Sequence, residues 1–179
     1  LEQARVLLLQ LEVPLAGALA AARIVRGKGG TVILDPAPAP KEPFSAEIIT
    51  AVDIVTPNES ETAGLLGWQP AAPDDALRAA RELKAKGFRT ALVKLGAKGV
   101  AFSGPPEEGF VPPFQLTAID TVAAGDSFNG GLAVALDEGK SLAQAVRFAA
   151  ASGALSTTKK GASAAAPTRD EIDAFLATQ

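Results

Sequence analysis

Apolar residues change their period several times along this chain, and each change marks an element. The run VLLLQL, Val6 to Leu11, is continuous rather than alternating, which is the pattern of a strand buried on both faces. A helical pattern follows over roughly Pro14 to Arg26, with proline near its start, where its missing N–H costs nothing. GKGG turns into TVILDPAP, a second strand broken by prolines, and DIVTPN, Asp53 to Asn58, is a third that ends at Pro57. Glu59 to Leu66 predicts a short helix ended by Gly67. Asp74 to Lys86 predicts a longer one, because Ala76, Leu77, Ala80 and Leu83 recur at helical spacing and Gly87 stops it. TALVKLG, Thr90 to Gly96, is a fourth strand, and GVAFS is another that turns through GPPEEG into FVPPF. Helical patterns then begin at Asp126, Ser141 and Thr168.

Strands interleaved with crossover-length helices predict an α/β fold: a doubly wound, largely parallel sheet in a single domain over 1–179. In such a sheet ligands collect beyond the carboxyl ends of the strands. Glu12 follows the first strand, Asn58 and Glu61 the third, and Gly96 to Gly99 the fourth; Asp126 follows the FVPPF region. That coincidence favours one site over a set of independent helix caps.

Composition then removes most chemistries. There is no Cys and no His, so thiolate nucleophiles, Cys-based zinc sites and Ser-His-Asp triads are all excluded. A formal charge of −3 without a Lys/Arg cluster argues against a nucleic-acid partner. No apolar run approaches the roughly 20 residues of a membrane span, so no membrane partner is expected. Absent cysteines suit a reducing compartment and LEQARVLLLQLEVP is no signal peptide; the expectation is a cytoplasmic protein. The sequence starts without Met and almost directly in an apolar run, from which a missing amino-terminal portion is expected.

DTVAAGDSFNGG, Asp120 to Gly131, allows two readings. Asp126 is either an N-cap for the helix that follows, or a base beside an anion-binding helix start that Ala123, Ala124 and Gly125 leave open. LGAKG, Leu95 to Gly99, is either a plain glycine turn or a turn whose N–H groups face a phosphate with Lys98 nearby. In PNESE, Asn58 and Glu61 are either N-cap and capping-box partner, or an amide–carboxylate pair that orders water around Mg²⁺. Asp35 reads as a turn-former before Pro36, Lys41 and Glu42 as loop surface, Trp68 as a cover on the core, and Glu107–Glu108 as a solvated hairpin tip. Phosphoryl transfer needs positioned phosphates, Mg²⁺, an anion-stabilising helix start and one carboxylate to accept a hydroxyl proton, and so runs without His or Cys.

DTVAAGDSFNGGLA resembles the carboxyl-terminal signature of the ribokinase-like family of carbohydrate kinases; TPNESE resembles the family's Asn-x-x-Glu element and KLGAKG its nucleotide-loop strand, in the same order and spacing. LLLQLEVP, RFAAASGALSTTKKGA and EIDAFL resemble the ribose-phosphorylating members most. The resemblance implies ATP-dependent phosphorylation of a sugar hydroxyl, D-ribose to D-ribose 5-phosphate, with fructokinase-like, nucleoside-kinase and noncatalytic nucleotide-binding alternatives. It implies Asp126 as the catalytic base, with Gly125 and Ala124 in the anion hole. Asn58, Lys94, Gly96, Lys98, Gly99 and Ala150 fall at nucleotide positions, Glu12 and Asp126 at the sugar, and Glu61 in the Mg²⁺ network. Asp120, Val122, Ser156, Lys159 and Gly161 fall in loops around a monovalent cation, so K⁺ is the implied activator. Ala123 stands where many members have Gly, Ala150 where His or Asn often lies near adenine, and Ala165 where a hydroxyl residue often lies by the cation loop. Members of the family also carry an amino-terminal portion with sugar-binding residues and a β-sheet lid; its absence here is expected to matter, and the full-length form is expected to be a homodimer.

Overall fold

The computed structural model describes residues 1–40 and 42–179, so Lys41 lies outside the described residues. Contacts divide the chain into two compact units, Leu1–Phe110 and Val111–Gln179.

One six-stranded sheet runs in chain order: β1 (Val6–Leu9), β2 (Thr31–Leu34), β3 (Ile54–Val55), β4 (Thr90–Lys94), β5 (Val100–Ser103) and β6 (Glu108–Val111). The first four strands pair in parallel, with Leu9 opposite Leu34, Leu34 opposite Val55, and Val55 opposite Ala91. β5 then returns antiparallel along β4, setting Lys94 opposite Val100. All five residues of β4 are buried, which is why the sequence there shows no alternation. The sheet is thus largely parallel, but strands β1 and β3 are shorter than their apolar runs, because Pro57 and the Leu11–Glu12 turn leave the ladder early.

In the first unit the helices are α1 (Leu15–Gly27), α2 (Ala46–Ala51), α3 (Glu59–Leu66) and α4 (Pro73–Ala85). Ala76, Ala79, Ala80 and Leu83 form the buried stripe of α4 and meet Ala91, Val93 and Ala101 of the sheet in one apolar core. Leu83 is fully buried, so truncating it to Ala should cost about 2–5 kcal/mol. α2 has no counterpart in the sequence pattern. It is a short helix started by Ser45, whose hydroxyl accepts the Ile48 N–H, and tied to α1 through an Arg23–Glu47 ion pair and an Arg26 bond to the Thr50 carbonyl.

The second unit holds α5 (Ala124–Asp137), α6 (Leu142–Ser156) and α7 (Arg169–Leu176), with a single 3₁₀ turn at Ser163–Ala165. Two glycines set how closely α5 and α6 approach. A Cβ on Gly131 would stand 2.8 Å from Ser152 Cβ, and one on Gly153 would stand 3.0 Å from the Ala124 carbonyl oxygen. Ser152 donates to the Ser127 carbonyl at 2.8 Å across the same seam. Among the described residues, no helix is long and apolar enough to cross a membrane.

Candidate functional site

In the first unit the sheet delivers its polar residues at the carboxyl ends of the parallel strands. Asp35 directly follows β2, Thr56 and Asn58 follow β3, and Lys94 is the last residue of β4. Lys94 Nζ donates to Asp35 Oδ1 at 3.0 Å, and the two residues are only 9% and 6% exposed. In such a pair each charge offsets part of the other's desolvation, and removing either partner alone would leave a buried charge uncompensated.

Asn58 is the N-cap of α3, and its capping box with Glu61 is complete: Asn58 Oδ1 accepts the Glu61 N–H at 2.9 Å and Glu61 Oε2 accepts the Asn58 N–H at 2.8 Å. A third bond, Asn58 Nδ2 to Glu61 Oε1 at 2.9 Å, fixes the carboxylate's plane. The capping geometry is therefore present and it holds the buried Glu61 in place, each carboxylate oxygen keeping a further lone pair. Burial pushes the Glu61 carboxyl above its usual value, against the Asn58 backbone bond and the Lys94 charge, with the Asp35 charge adding to the rise.

Gly96, Lys98 and Gly99 form a tight turn directly after β4, closed by Leu95 N–H to the Gly99 carbonyl at 2.9 Å and Lys98 N–H to the Leu95 carbonyl at 3.0 Å. Both glycines lie at positive φ, +53° and +107°. The Lys98 ammonium donates to the Ala71 carbonyl at 3.0 Å, tying this turn to the α3–α4 loop. Trp68, in the same loop, packs partly on the core, donates to Glu82 at 2.9 Å and lies under the Arg78 guanidinium. Glu12 is exposed in the turn after β1. Glu108, read as hairpin tip, instead lies in β6 and pairs with Arg81 at 2.5 Å.

In the second unit the start of α5 differs from the sequence expectation. Asp126 is not its cap. The helix begins two residues earlier, at Ala124, with Ala123 as N-cap in the left-handed region (φ 59°), and Asp126 occupies the third helical position. The N–H groups of a first helical turn have no intrahelical partner and carry the positive end of the dipole. Gly125 and Asp126 belong to that first turn, while the Ala124 N–H donates back to the Thr121 carbonyl at 3.3 Å; Asp126 also lines a cleft of about 450 Å³ with Ser127, Gly130, Ser163 and Arg169. Arg169 gave no sequence signal; Glu138 and Asp173 hold it in ion pairs, and its guanidinium lies 5.1 Å from the Phe148 ring centroid.

Two backbone bonds hold the Asp120 carboxylate: Val122 N–H to Oδ1 at 3.0 Å and Gly161 N–H to Oδ2 at 3.1 Å. These bonds, the Val122 one first, keep its carboxyl below the ordinary value. The Thr157 carbonyl accepts the N–H groups of Ile119 and Asp120 at 2.7 and 3.1 Å, so the approach to α5 and the exit from α6 are joined. Ser156 is buried and donates to the Gly153 carbonyl, while Lys159 pairs with Glu171 at 2.7 Å, leaving its backbone carbonyl as the group it can offer a cation. Ala150 is half-buried within α6, and Ala165 is buried in the 3₁₀ turn.

Among the described residues, no group of three or more acidic side chains could hold a metal by itself. Glu61, held by its capping box, is a single carboxylate of the kind that could steer the water shell of a Mg²⁺ carried by phosphates.

The sequence profile of the pfkB family carbohydrate kinases matches residues 1–169. A ribokinase from Haemophilus influenzae is 45% identical over 174 residues, which cover 97% of this chain and 56% of that protein. Among solved structures, a Thermotoga maritima ribokinase superposes with a TM-score of 0.84 at 39% identity, covering 98% of this chain and 58% of that one. An Arabidopsis thaliana ribokinase complexed with ribose and ATP superposes with a TM-score of 0.89 at 33% identity, covering 98% of this chain and 56% of that one. The chain thus spans a little over half the length of the relatives it matches.

Proposed function

The chain belongs to the pfkB family of carbohydrate kinases, and from that premise we propose that it supplies the nucleotide-binding and phosphoryl-transferring groups of an ATP-dependent kinase that converts D-ribose to D-ribose 5-phosphate. The observation that carries this reading is the start of α5: one carboxylate, Asp126, stands in the first helical turn, at the positive end of the helix dipole, on the wall of a cleft.

Asp126 accepts the proton of the attacking sugar hydroxyl. As that O–H bond breaks, the new O–P bond forms to the γ-phosphoryl group and the bond to the β-phosphate oxygen breaks, releasing ADP. The N–H groups of Gly125 and Asp126, and that of Ala124 once it leaves the Thr121 carbonyl, meet the charge that develops on the phosphoryl oxygens. Asn58, Lys94, Gly96, Lys98, Gly99 and Ala150 contact the nucleotide, and Glu12 contacts the sugar. Glu61 would orient the water shell of a Mg²⁺ bound with the phosphates, which would supply charge neutralisation. Val122, Ser156, Lys159 and Gly161, in the loops that Asp120 joins, would hold K⁺ through backbone carbonyls, and its charge would stiffen the entry to α5. The same reading takes 1–179 as one functional domain, active in the cytoplasm as part of a homodimer.

The test is ADP release with ATP, Mg²⁺ and K⁺, with ribose, deoxyribose, fructose, a nucleoside or no acceptor, beside Asp126→Asn. Release that requires ribose and falls at least about 100-fold in the variant supports the reading. Release that ignores the acceptor, or survives the substitution, overturns it. Mg²⁺-dependent ATP binding without any release would mean either that an amino-terminal half is needed or that the chain is a nucleotide-binding module, and adding back a complete amino-terminal half decides between them.

A further inference from the structure

A helix on a protein surface is ordinarily polar on its outer face, and one that is apolar all round is ordinarily covered. α1 departs from that rule. From Leu15 to Ala22 it carries no polar side chain, yet along its length only Ala18, Ala22 and Val25 are buried. Gly17, Ala20 and Ile24 lie on the side of the helix turned away from those three and are exposed, Ile24 at 42%. A Cβ placed on Gly17 would meet no atom within 4 Å, so no other described element covers that position.

This face is complementary to itself. Ile24 and Gly17 stand two helical turns apart on it, a projecting side chain toward one end and an open position toward the other. Laid antiparallel on a second copy, α1 sets each Ile24 against the other copy's Gly17, with Ala20 of each helix near the crossing. The charges agree with that direction. Lys28 caps the carboxyl end of α1, beyond Arg23 and Arg26, which pair with Glu47 and Asp53; the charge just ahead of the other end is Glu12. Antiparallel docking brings each Lys28 toward the acidic end of the other copy and opposes the two helix dipoles, whereas parallel docking would set the two lysines together.

We propose that α1 is a self-association surface, through which two copies of this chain pair with their α1 helices antiparallel about a two-fold axis. The contact uses residues of this chain alone and stands apart from the kinase reading. Two faces of about four turns each make an interface at the small end of the specific range, so the dimer is weak, with a dissociation constant on the order of 10–100 µM.

Sedimentation equilibrium of the full chain across that concentration range should show monomer passing to dimer. Ile24→Glu, which places two like charges in the contact, should raise the dissociation constant at least about tenfold. Leu8→Lys, at an exposed position of the edge strand β1, should leave it unchanged. The chain has no cysteine, so Gly17→Cys and Ile24→Cys proteins can be mixed and oxidised, and the disulfide between positions 17 and 24 should form in preference to one between like positions. A chain that stays monomeric, a dimer that survives Ile24→Glu, or a dimer lost in Leu8→Lys overturns the proposal. Should Ile24→Glu fail to fold, the cysteine mixture decides, and a predominance of disulfides between like positions rejects the antiparallel pairing.

Discussion

Asp120 holds Gly161 across 41 positions of sequence, accepting its N–H at 3.1 Å, and with its other oxygen holds Val122 N–H at 3.0 Å. One carboxylate thereby fixes both the segment entering α5 and the loop leaving α6. Its folded pKa is depressed, so its contribution to stability is present above the unfolded value and is lost as pH falls through the folded one. The stability advantage of wild type over Asp120→Asn should therefore be full at neutral pH and shrink steadily toward about pH 3. Urea unfolding at a series of pH values measures it, and a gap that does not narrow in acid rejects the assignment.

Glu61 should show the reverse slope. Burial raises its folded pKa, so the stability it contributes is fully present below the unfolded value and is lost as pH rises through the folded one. Glu61→Gln removes the titration and keeps one acceptor for the capping box. Wild type should lose stability relative to this variant as pH rises through the carboxylate range. Parallel pH profiles for the two proteins would rule this out.

Ala123 is the sole described non-glycine residue at positive φ. A Cβ in that region costs about 1–2 kcal/mol, partly offset by the larger unfolded-state entropy of glycine. Ala123→Gly should stabilise the chain by up to about 1 kcal/mol, and Ala123→Val, with its branched Cβ, should destabilise it. Melting temperatures would decide, with a lower value for the glycine variant counting against the strain.

Gly131→Val adds bulk where a Cβ alone meets Ser152 Cβ at 2.8 Å and Ala149 Cα at 3.2 Å. The two helices must separate, at a cost of about 1–3 kcal/mol. A midpoint of urea unfolding unchanged from wild type would show that the seam gives way freely.

How much of this was readable in advance depends on how local each cause is. β2 and β4 were plain because TVIL and TALVK are apolar throughout, and α3 and α4 because Gly67 and Gly87 stop them. The chain's kinship was legible in three short motifs. α2 was missed because AEIITA is six residues with three β-branched or isoleucine-type positions and no full apolar period. The start of α5 was misplaced by two residues for a different reason. Ala123 accepts its left-handed conformation because Thr157 and Gly161, more than thirty positions later, pin the segment ahead of it. Nothing within DTVAAGD encodes that. Asp35 likewise looked like a turn residue, since its partner Lys94 lies two strands away; the only hint was an acid placed straight after VIL at a strand's carboxyl end.

The glycine seam between α5 and α6 also limits how this sequence can drift. Gly131 shares its space with Ser152 and Ala149, and Gly153 shares its space with Ala124 and Phe128. Neither glycine can gain a side chain without a neighbour moving, whereas shrinking 152 to glycine removes the closest contact at 131 and leaves Ala149 Cα at 3.2 Å. Because Ala124 opens the helix that carries Asp126, a change at 153 is felt at the first turn of α5 although it touches no reacting atom. Substitutions along this seam should therefore be inherited in pairs, and a library that varies 131 and 152 together should recover functional sequences that single-site libraries of either position lack.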